Sequence, residues 1–359
     1  MPSTPQQLSG RSRSLTASIV STAAEIHDLT AFVSSLVPEP GMLAPSFFLA
    51  SLLPRHGRPC VVVVSQGRRV VGLLYGQERV VAGIPIGIVD GDDTLSTMVA
   101  ARPEDMQSVL CCAVEALLKY KAALRFRVAS HRLALLEGAK ANADIHFCPE
   151  KRHAYLDLPR TYDEFLAMVG PWTRKNFRRY RRRSEQAGNQ FCPDQPFPDF
   201  CTVARHLFLR QSYVGESKLQ RSLAMIQAIP SRLLIGLRRR DGEWISLAGG
   251  WYDGGRAVLC LQLNDRTCSR ESISLVLRSY LIEQLINRGI RELVFWDGTS
   301  APLSLYTAHR EEFKGYVDSR SYAWRLVRLA CIRLAKLAPG TFSNWLKWEV
   351  PDANGKLNA

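Results

Sequence analysis

Long apolar runs are absent from this 359-residue chain: no stretch approaches eighteen uninterrupted apolar residues, so no transmembrane helix is expected. The N-terminus also lacks a charged segment followed by an apolar core and a cleavage site, which points to a cytoplasmic protein. Residues 1–24 contain Arg11 and Arg13 but no acid and are rich in Ser and Thr. They are expected to form a solvated disordered tail, with a weak likeness to a transit peptide as the alternative. Nine cysteines are scattered without a CxxC pair, the one close set being the adjacent Cys111-Cys112, and this excludes a metal or disulfide framework. Reduced core thiols are expected, with Cys268 in a loop as the exposed exception. No histidine is placed by sequence to activate it as a nucleophile.

Excess charge is missing from the first part of the chain and concentrated in the second. Residues 1–150 carry 14 Lys+Arg against 13 Asp+Glu and residues 151–359 carry 33 against 20, so the net +14 divides as +1 and +13. The second part is the one that meets an anion; on charge alone a nucleotide, a nucleic acid or an anionic membrane surface would serve. With 46% hydrophobic residues the chain is long enough for two lobes, each with a sizeable core.

The most informative stretch runs from Arg232 to Tyr306. Three strand-like runs, Arg232–Arg240, Trp244–Tyr252 and Arg256–Asn264, are separated by Asp241-Gly242 and Asp253-Gly254-Gly255, both hairpin-turn signals. The polar loop DRTCSRES follows and feeds a long amphipathic helix. Ile273, Val276, Leu277, Tyr280, Leu281 and Leu285 fall at helical spacing, and Gly289 stands where a C-cap would end it. ELVFWDG then gives a short buried strand, and the next turn reaches SAPLSLY. A strand, an anion-friendly loop and a helix N-terminus are what a pyrophosphate needs.

This order of elements resembles the GNAT N-acyltransferase superfamily, most closely its FemAB/CelD-like branch with two such lobes in tandem. The likeness covers residues 25–325. It implies an α/β fold of mixed sheets flanked by helices, in tandem GNAT-like lobes, with acetyl-CoA or another acyl-CoA as co-substrate. Carried onto this chain, the pyrophosphate would lie on backbone N–H groups of the loop Asp265–Glu271, with Arg266, Ser269 and Arg270 as side-chain contacts. Tyr306 would protonate the departing thiolate. The Gly-rich pattern of that superfamily is replaced here by Arg266-Thr267-Cys268-Ser269-Arg270.

Residues 25–150 repeat the hairpin, helix, strand order without the basic loop. A hairpin turns at Gln66-Gly67, Met106–Ala123 carries Leu110, Val114, Leu117 and Leu118 on one side of a helix, and LRFRVAS adds a strand. A lobe without cofactor is expected, or else one wall of a substrate cleft. Residues 151–325 would form the catalytic lobe. His153–Leu158 reads as the strand joining the two, and Thr161 with Glu164 as a capping box.

Beyond Gly170-Pro171 comes the densest charge run, with Arg174, Lys175, Arg178, Arg179, Arg181, Arg182 and Arg183 in ten residues, while Phe177, Tyr180 and Ser184 form a stripe that can bury. It reads as a solvated helix face, a funnel for acyl-CoA or acceptor, a nucleic-acid contact or a membrane-surface contact. Residues 326–359 read as a second basic amphipathic helix and tail, either packed on the second lobe or lying on a membrane surface.

The chemistry implied is direct attack of an amine on a thioester carbonyl. Pantetheine would lie along the strand Ala257–Asn264, against Leu261 and Leu263, with a backbone N–H in the span Leu261 to Leu263 facing the oxyanion. Asp297, then Glu216, then His309, is the candidate acceptor for the amine proton, with a water chain as the alternative. The resulting reading is an acyl-CoA-dependent N-acyltransferase for a small or sugar-linked amine, its place in polysaccharide or envelope biosynthesis resting on resemblance alone. A FemAB-type transferase using aminoacyl-tRNA and a non-enzymatic membrane- or nucleic-acid-associated module are the alternatives. A cytoplasmic location is expected, with a peripheral one at the inner face of a membrane beside it.

Overall fold

The computed structural model describes residues 14–52, 57–81, 83–134, 145–150, 152–210, 215–310 and 312–318. They divide into two compact units. The first takes the described residues before Ser46, those from 57 to Cys148 and those from Lys314; the second takes the segment from Ser46 and Pro149–Phe313. The expected C-terminal basic helix lies outside the described residues.

In the first unit, order begins earlier than expected. The alternation in LTASIV makes β1 (Leu15–Val20), which pairs antiparallel with β2 (Gly57–Gln66) from Leu15↔Gln66 to Val20↔Val61, so residues 15–24 are not part of a disordered tail. Thr22 and Glu25 then close a capping box on α1 (Ala23–Asp28), followed by α2 (Thr30–Leu36). The hairpin at Gln66-Gly67 joins β2 to β3 (Arg69–Val81), with Gly67 at φ 63°. Next come β4 (Ile84–Asp93), β5 (Val99–Ala101), α4 (Met106–Tyr120) and β6 (Ala123–Ala129). With β7 (Ile145–Glu150) and β14 (Glu312–Asp318) the sheet runs β1-β2-β3-β4-β6-β14-β7, and β5 adds to β3.

Most of α3 (Pro45–Ser51) belongs to the second unit, where Phe47 meets Trp251 edge-on at 5.3 Å. The unit continues with β8 (Ala154–Asp157), α5 (Tyr162–Met168), α6 (Pro171–Gln186), β9 (Gln190–Cys192), α7 (Phe197–Arg210) and α8 (Glu216–Ala228). It ends with β10 (Arg232–Arg238), β11 (Trp244–Asp253), β12 (Arg256–Asn264), α9 (Ile273–Asn287) and β13 (Glu292–Phe295). Its sheet runs β8-β13-β12-β11-β10-β9, with β12–β13 the parallel pair and α9 the crossover between them. The strand β8 is an edge paired to β13. The Thr161/Glu164 box caps α5.

The helix α9 is not amphipathic in the simple sense. Leu277, Leu281 and Leu285 pack on the sheet, but Leu275, Ser279, Ile282 and Ile286 are buried as well. Its second face is covered by α5 and α6, through Tyr162 Oη to Ser279 Oγ (2.7 Å), Tyr280 Oη to Glu185 (2.9 Å) and Arg181 to Glu283 (2.7 Å). Among the described residues no helix is long and apolar enough to cross a membrane.

Candidate active site

The site is built around one strand edge. The strand β13 pairs with β12 from Arg256↔Glu292 to Leu259↔Phe295, and the Trp296 N–H donates to the Leu259 carbonyl at 2.9 Å. Asp297 (φ 63°) and Gly298 (φ 88°) then turn the chain away, so β13 does not follow β12 through Cys260–Asn264. On its other side β12 carries a bulge: Gly249 opposes Leu261 and Gly250 opposes Leu259, leaving Cys260 as the extra residue. A Cβ at Gly250 would lie 1.8 Å from the Val258 carbonyl oxygen, so only glycine fits there.

The bulge reverses the side-chain alternation. Ala257 and Leu259 pack in the core with α9, and beyond the bulge it is Gln262 that faces α9, bonded to Ser274 and Arg278. It also decides which amides face the open edge. The Asp265 N–H donates to the Ile245 carbonyl at 2.8 Å and Ser246 Oγ to the Leu263 carbonyl at 3.3 Å, which directs Leu263, and two residues earlier Leu261, toward β11. The backbone groups facing the open edge are therefore those of Gln262, inside the expected span Leu261 to Leu263, and of Asn264, rather than those of Leu261 and Leu263 themselves.

At the end of that edge α9 begins. Ser272 (φ 52°) makes no side-chain cap, so the first helical amides have no capping bond from it. They border a cleft of 440 Å³ lined by Trp172, Asn176 and Arg179 of α6 and by Ser274 and Arg278 of α9. Arg278 Nε donates to Gln262 Oε1 at 2.8 Å, and Gln262 Nε2 donates to Ser274 Oγ at 3.0 Å, tying the edge to the helix. Burial pulls Arg278 down to about 10, which leaves it cationic at neutral pH. A cation, a helix N-terminus and serine hydroxyls together suit an anion.

The charge run on α6 divides by role. Arg181 binds Glu185 (3.2 Å) and Glu283 (2.7 Å), and Arg174 donates to the Ala167 and Val169 carbonyls. Lys175, Arg178, Arg179, Arg182 and Arg183 are exposed and have no ion pair to any described residue. They form a stripe about 12 Å long beside the cleft.

The expected loop contacts are arranged differently. The segment Arg266–Glu271 is a 3₁₀ turn closed on Asp265, whose carboxylate accepts the Thr267 N–H (2.9 Å), the Thr267 hydroxyl (2.8 Å) and Arg210 (2.8 Å). Burial raises the Asp265 pKa, but Thr267 and Arg210 outweigh it and hold the carboxyl below its usual range. Arg266 is exposed and does not line the cleft, and the side chains of Ser269 and Arg270 lie outside the described residues. Cys268 is buried, not exposed, with Sγ 2.9 Å from Arg239 Nη2.

The expected proton-transfer residues are dispersed. Tyr306 Oη accepts the Gly170 N–H at 2.9 Å and donates to the buried Thr173 hydroxyl at 3.0 Å, bracing the start of α6. Glu216 is exposed at the start of α8 and bonds Gln220 (3.0 Å) along a different groove, between α7 and α8. His309 is bonded to the His153 carbonyl at 2.9 Å. Asp297 does reach β12, where it binds Arg152 (3.0 Å) and Lys218 (3.6 Å). Burial raises its pKa, but the two cations outweigh this and hold it below its usual value. Its N–H points to Nδ1 of the fully buried His153 (3.3 Å), a support for the turn that the sequence did not mark.

Asp297 belongs to a second cleft, of 170 Å³, lined by Lys218, Arg221 and Ser222 of α8 with Cys260, Trp296 and Asp297. Burial pushes the Cys260 thiol up to about 12, so it is no thiolate at neutral pH. The two clefts meet β12 within three residues of each other, at Cys260 and, through Arg278, at Gln262.

Residues 172–314, which include the lining of both clefts, match the family model described as an acetyltransferase (GNAT) domain. No curated protein matches the sequence. Solved structures share the fold. L-PGS from Bacillus licheniformis is 16% identical with a TM-score of 0.54, over 84% of this chain and 96% of that one. The C-terminal domain of a putative lysylphosphatidylglycerol synthetase from Agrobacterium fabrum is 13% identical with a TM-score of 0.56, over 87% and 97%. FemX is 13% identical with a TM-score of 0.54, over 83% and 96%.

Proposed function

We propose that the second unit is an acyl-CoA-dependent N-acyltransferase. The observation that carries this reading is the open edge of β12, with an anion-suited cleft at α9 on one side and a polar cleft at α8 on the other. The donor's phosphates sit at the start of α9 against Arg179 and Arg278. Pantetheine runs along Gln262 and Asn264, and an amine enters from α8 to attack the thioester carbonyl. The carbon–nitrogen bond forms, an edge amide at Gln262 receives the oxyanion, a contribution of about 3 kcal/mol when such a donor is well placed, and the carbon–sulfur bond then breaks. Asp297 is too firmly ion-paired for a strong base and Tyr306 too firmly bonded for an acid, so the amine's proton and the thiolate's are carried by water. An acetyl donor and an amine of polysaccharide or envelope biosynthesis remain the specific form of this proposal.

Isothermal titration with acetyl-CoA and a longer acyl-CoA tests it. Saturable binding should weaken about tenfold in Arg278→Gln and again in the double variant with Arg179→Gln, as expected for charge-assisted bonds. Arg266→Ala plus Arg270→Ala should matter less. Failure of either thioester to bind at millimolar concentration would remove the basis of the proposal.

The unpaired stripe Lys175, Arg178, Arg179, Arg182 and Arg183 favours a second reading, a donor carried on tRNA, in which the stripe follows a phosphate backbone. Ribonuclease-sensitive activity with a steep salt dependence would select that reading. Binding to anionic vesicles, lost when the stripe is neutralised, would instead assign the stripe to a membrane surface.

A further inference from the structure

Among the described residues lining the cleft at α8, two cations, Lys218 and Arg221, stand with one carboxylate, Asp297. Arg152 and Lys218 both bind Asp297, at 3.0 and 3.6 Å. Arg221, less than a turn beyond Lys218, forms no ion pair with any described residue, and its Nε is buried without a hydrogen-bond partner. Burial first, and then the nearby Arg152, pull its ionisation below the usual guanidinium range against the attraction of Asp297. An arginine on an ordinary helix surface extends into water and avoids both penalties. This one lies in the wall of a cleft beside Trp296 and Cys260, drawn to Asp297 but with its Nε left without a hydrogen bond. Buried polar groups are nearly always satisfied, and an unmatched one facing a cleft marks the place of a ligand of opposite charge.

We infer that this cleft binds an anionic group, a carboxylate or a phosphate, on the guanidinium of Arg221, and that the acceptor is therefore an amine that also bears an acid. Calling the ligand an acceptor rests on the acyltransferase reading above; the anion site itself does not. The 170 Å³ of the cleft encloses the acidic end of such a molecule and leaves its amine toward the edge of β12 at Cys260. Lys218 stands beside Arg221 as a second cation, and Asp297 limits the affinity by competing for the same charges.

The test uses the full chain without an acyl donor. Isothermal titration with inorganic phosphate and with glutamate, against glucosamine as an amine that carries no acid, reads the site directly. Phosphate or glutamate should saturate the protein and glucosamine should not. Arg221→Gln should weaken binding at least tenfold, with Arg221→Lys between it and the parent. Asp297→Asn, which removes the competing carboxylate, should tighten binding several-fold. Misfolding would weaken both variants, so opposite signs within one cleft cannot arise from it. A preference for phosphate would indicate a phosphorylated amine and a preference for glutamate an amino acid. Equal affinity in the parent and Arg221→Gln, saturation by glucosamine instead, or binding of neither anion overturns the inference. The donor proposal has its own variants at Arg179 and Arg278, so failure of one reading leaves the other measurable.

Discussion

The two units use the same device to different ends. In the first, β4 crosses through α4 to its parallel neighbour β6; in the second, β12 crosses through α9 to β13. The first pair stays zipped from Ile88↔Ala123 to Asp93↔Val128, the last residue of β4. The second opens after Leu259. What fills the space in the first unit is its own chain: Met98 lies over Gly91, and the buried Asp93 carboxylate accepts the Met98 N–H at 2.9 Å and Arg132 at 2.9 Å. Charge follows the same division. Glu78 binds Arg58 and Lys121, Asp90 binds Arg79 and Arg125, and Asp93 binds Arg132, so these cations of the first unit are spent on the fold. The second unit leaves Arg221 and the α6 stripe unmatched. Shared topology thus supplies a scaffold, and among the described residues it is the second unit in which the parallel strands part beside cations without ion pairs.

The comparison breaks most sharply at two glycines. A methyl group at Gly250 would meet the Val258 backbone at 1.8 Å, whereas one at Gly91 would meet the flexible end of Met98 at 2.4 Å. Gly250→Ala should cost about 3 kcal/mol and Gly91→Ala about half as much, because a side chain can rotate away and a paired strand cannot. Denaturant titration of each variant checks the order. Equal costs would mean that the bulge at Cys260 is not fixed by that close approach.

The pH dependence of the exposed, ion-paired Asp297 and of the buried Asp93 should have opposite signs. Asp297 titrates below its ordinary 3.8, so its ion pairs stabilise the fold above that value and the stabilisation is lost as pH falls through the depressed pKa. Asp93 is shifted upward, chiefly by burial against the pull of Arg132, so its contribution is greatest below the ordinary value and is lost as pH rises through the raised one. Thermal melting between pH 2.5 and 6 should therefore show Asp297→Asn flattening the acid-side fall and Asp93→Asn steepening it. For the same reason activity should show no limb from Asp297 near neutrality.

Much of this was legible where the chemistry is local. Asp241-Gly242 and Asp253-Gly254 mark their turns, and Thr161 with Glu164 caps α5, because each depends on residues a few positions apart. The open edge was placed on the right strand and span, but the two leucines named on it are one residue out of phase. The parity change at Cys260 comes from pairing with Gly249-Gly250, which no periodicity within β12 reveals. Arg179 and Arg278 were not singled out for the cleft, since they converge only through the packing of α6 on α9. The i, i+4 spacing of Ser274 and Arg278 at a helix start was the one available sign.

Tyr306 gives the smallest expected effect and the clearest separation of roles. The sequence places it one short loop beyond β13, where a proton donor would stand, but the loop carries it to the start of α6. There its hydroxyl is used twice, by the Gly170 N–H and by Thr173. Tyr306→Phe removes both bonds and should cost about 1 kcal/mol of stability, the net worth of such bonds when a partly buried partner is left behind. A general acid would behave otherwise, since losing it lowers turnover by about a hundredfold or more. Turnover within threefold of the parent, with a small fall in melting temperature, is the expected result. A loss of the larger size without a stability change would return Tyr306 to the chemistry and require the start of α6 to move when substrate binds.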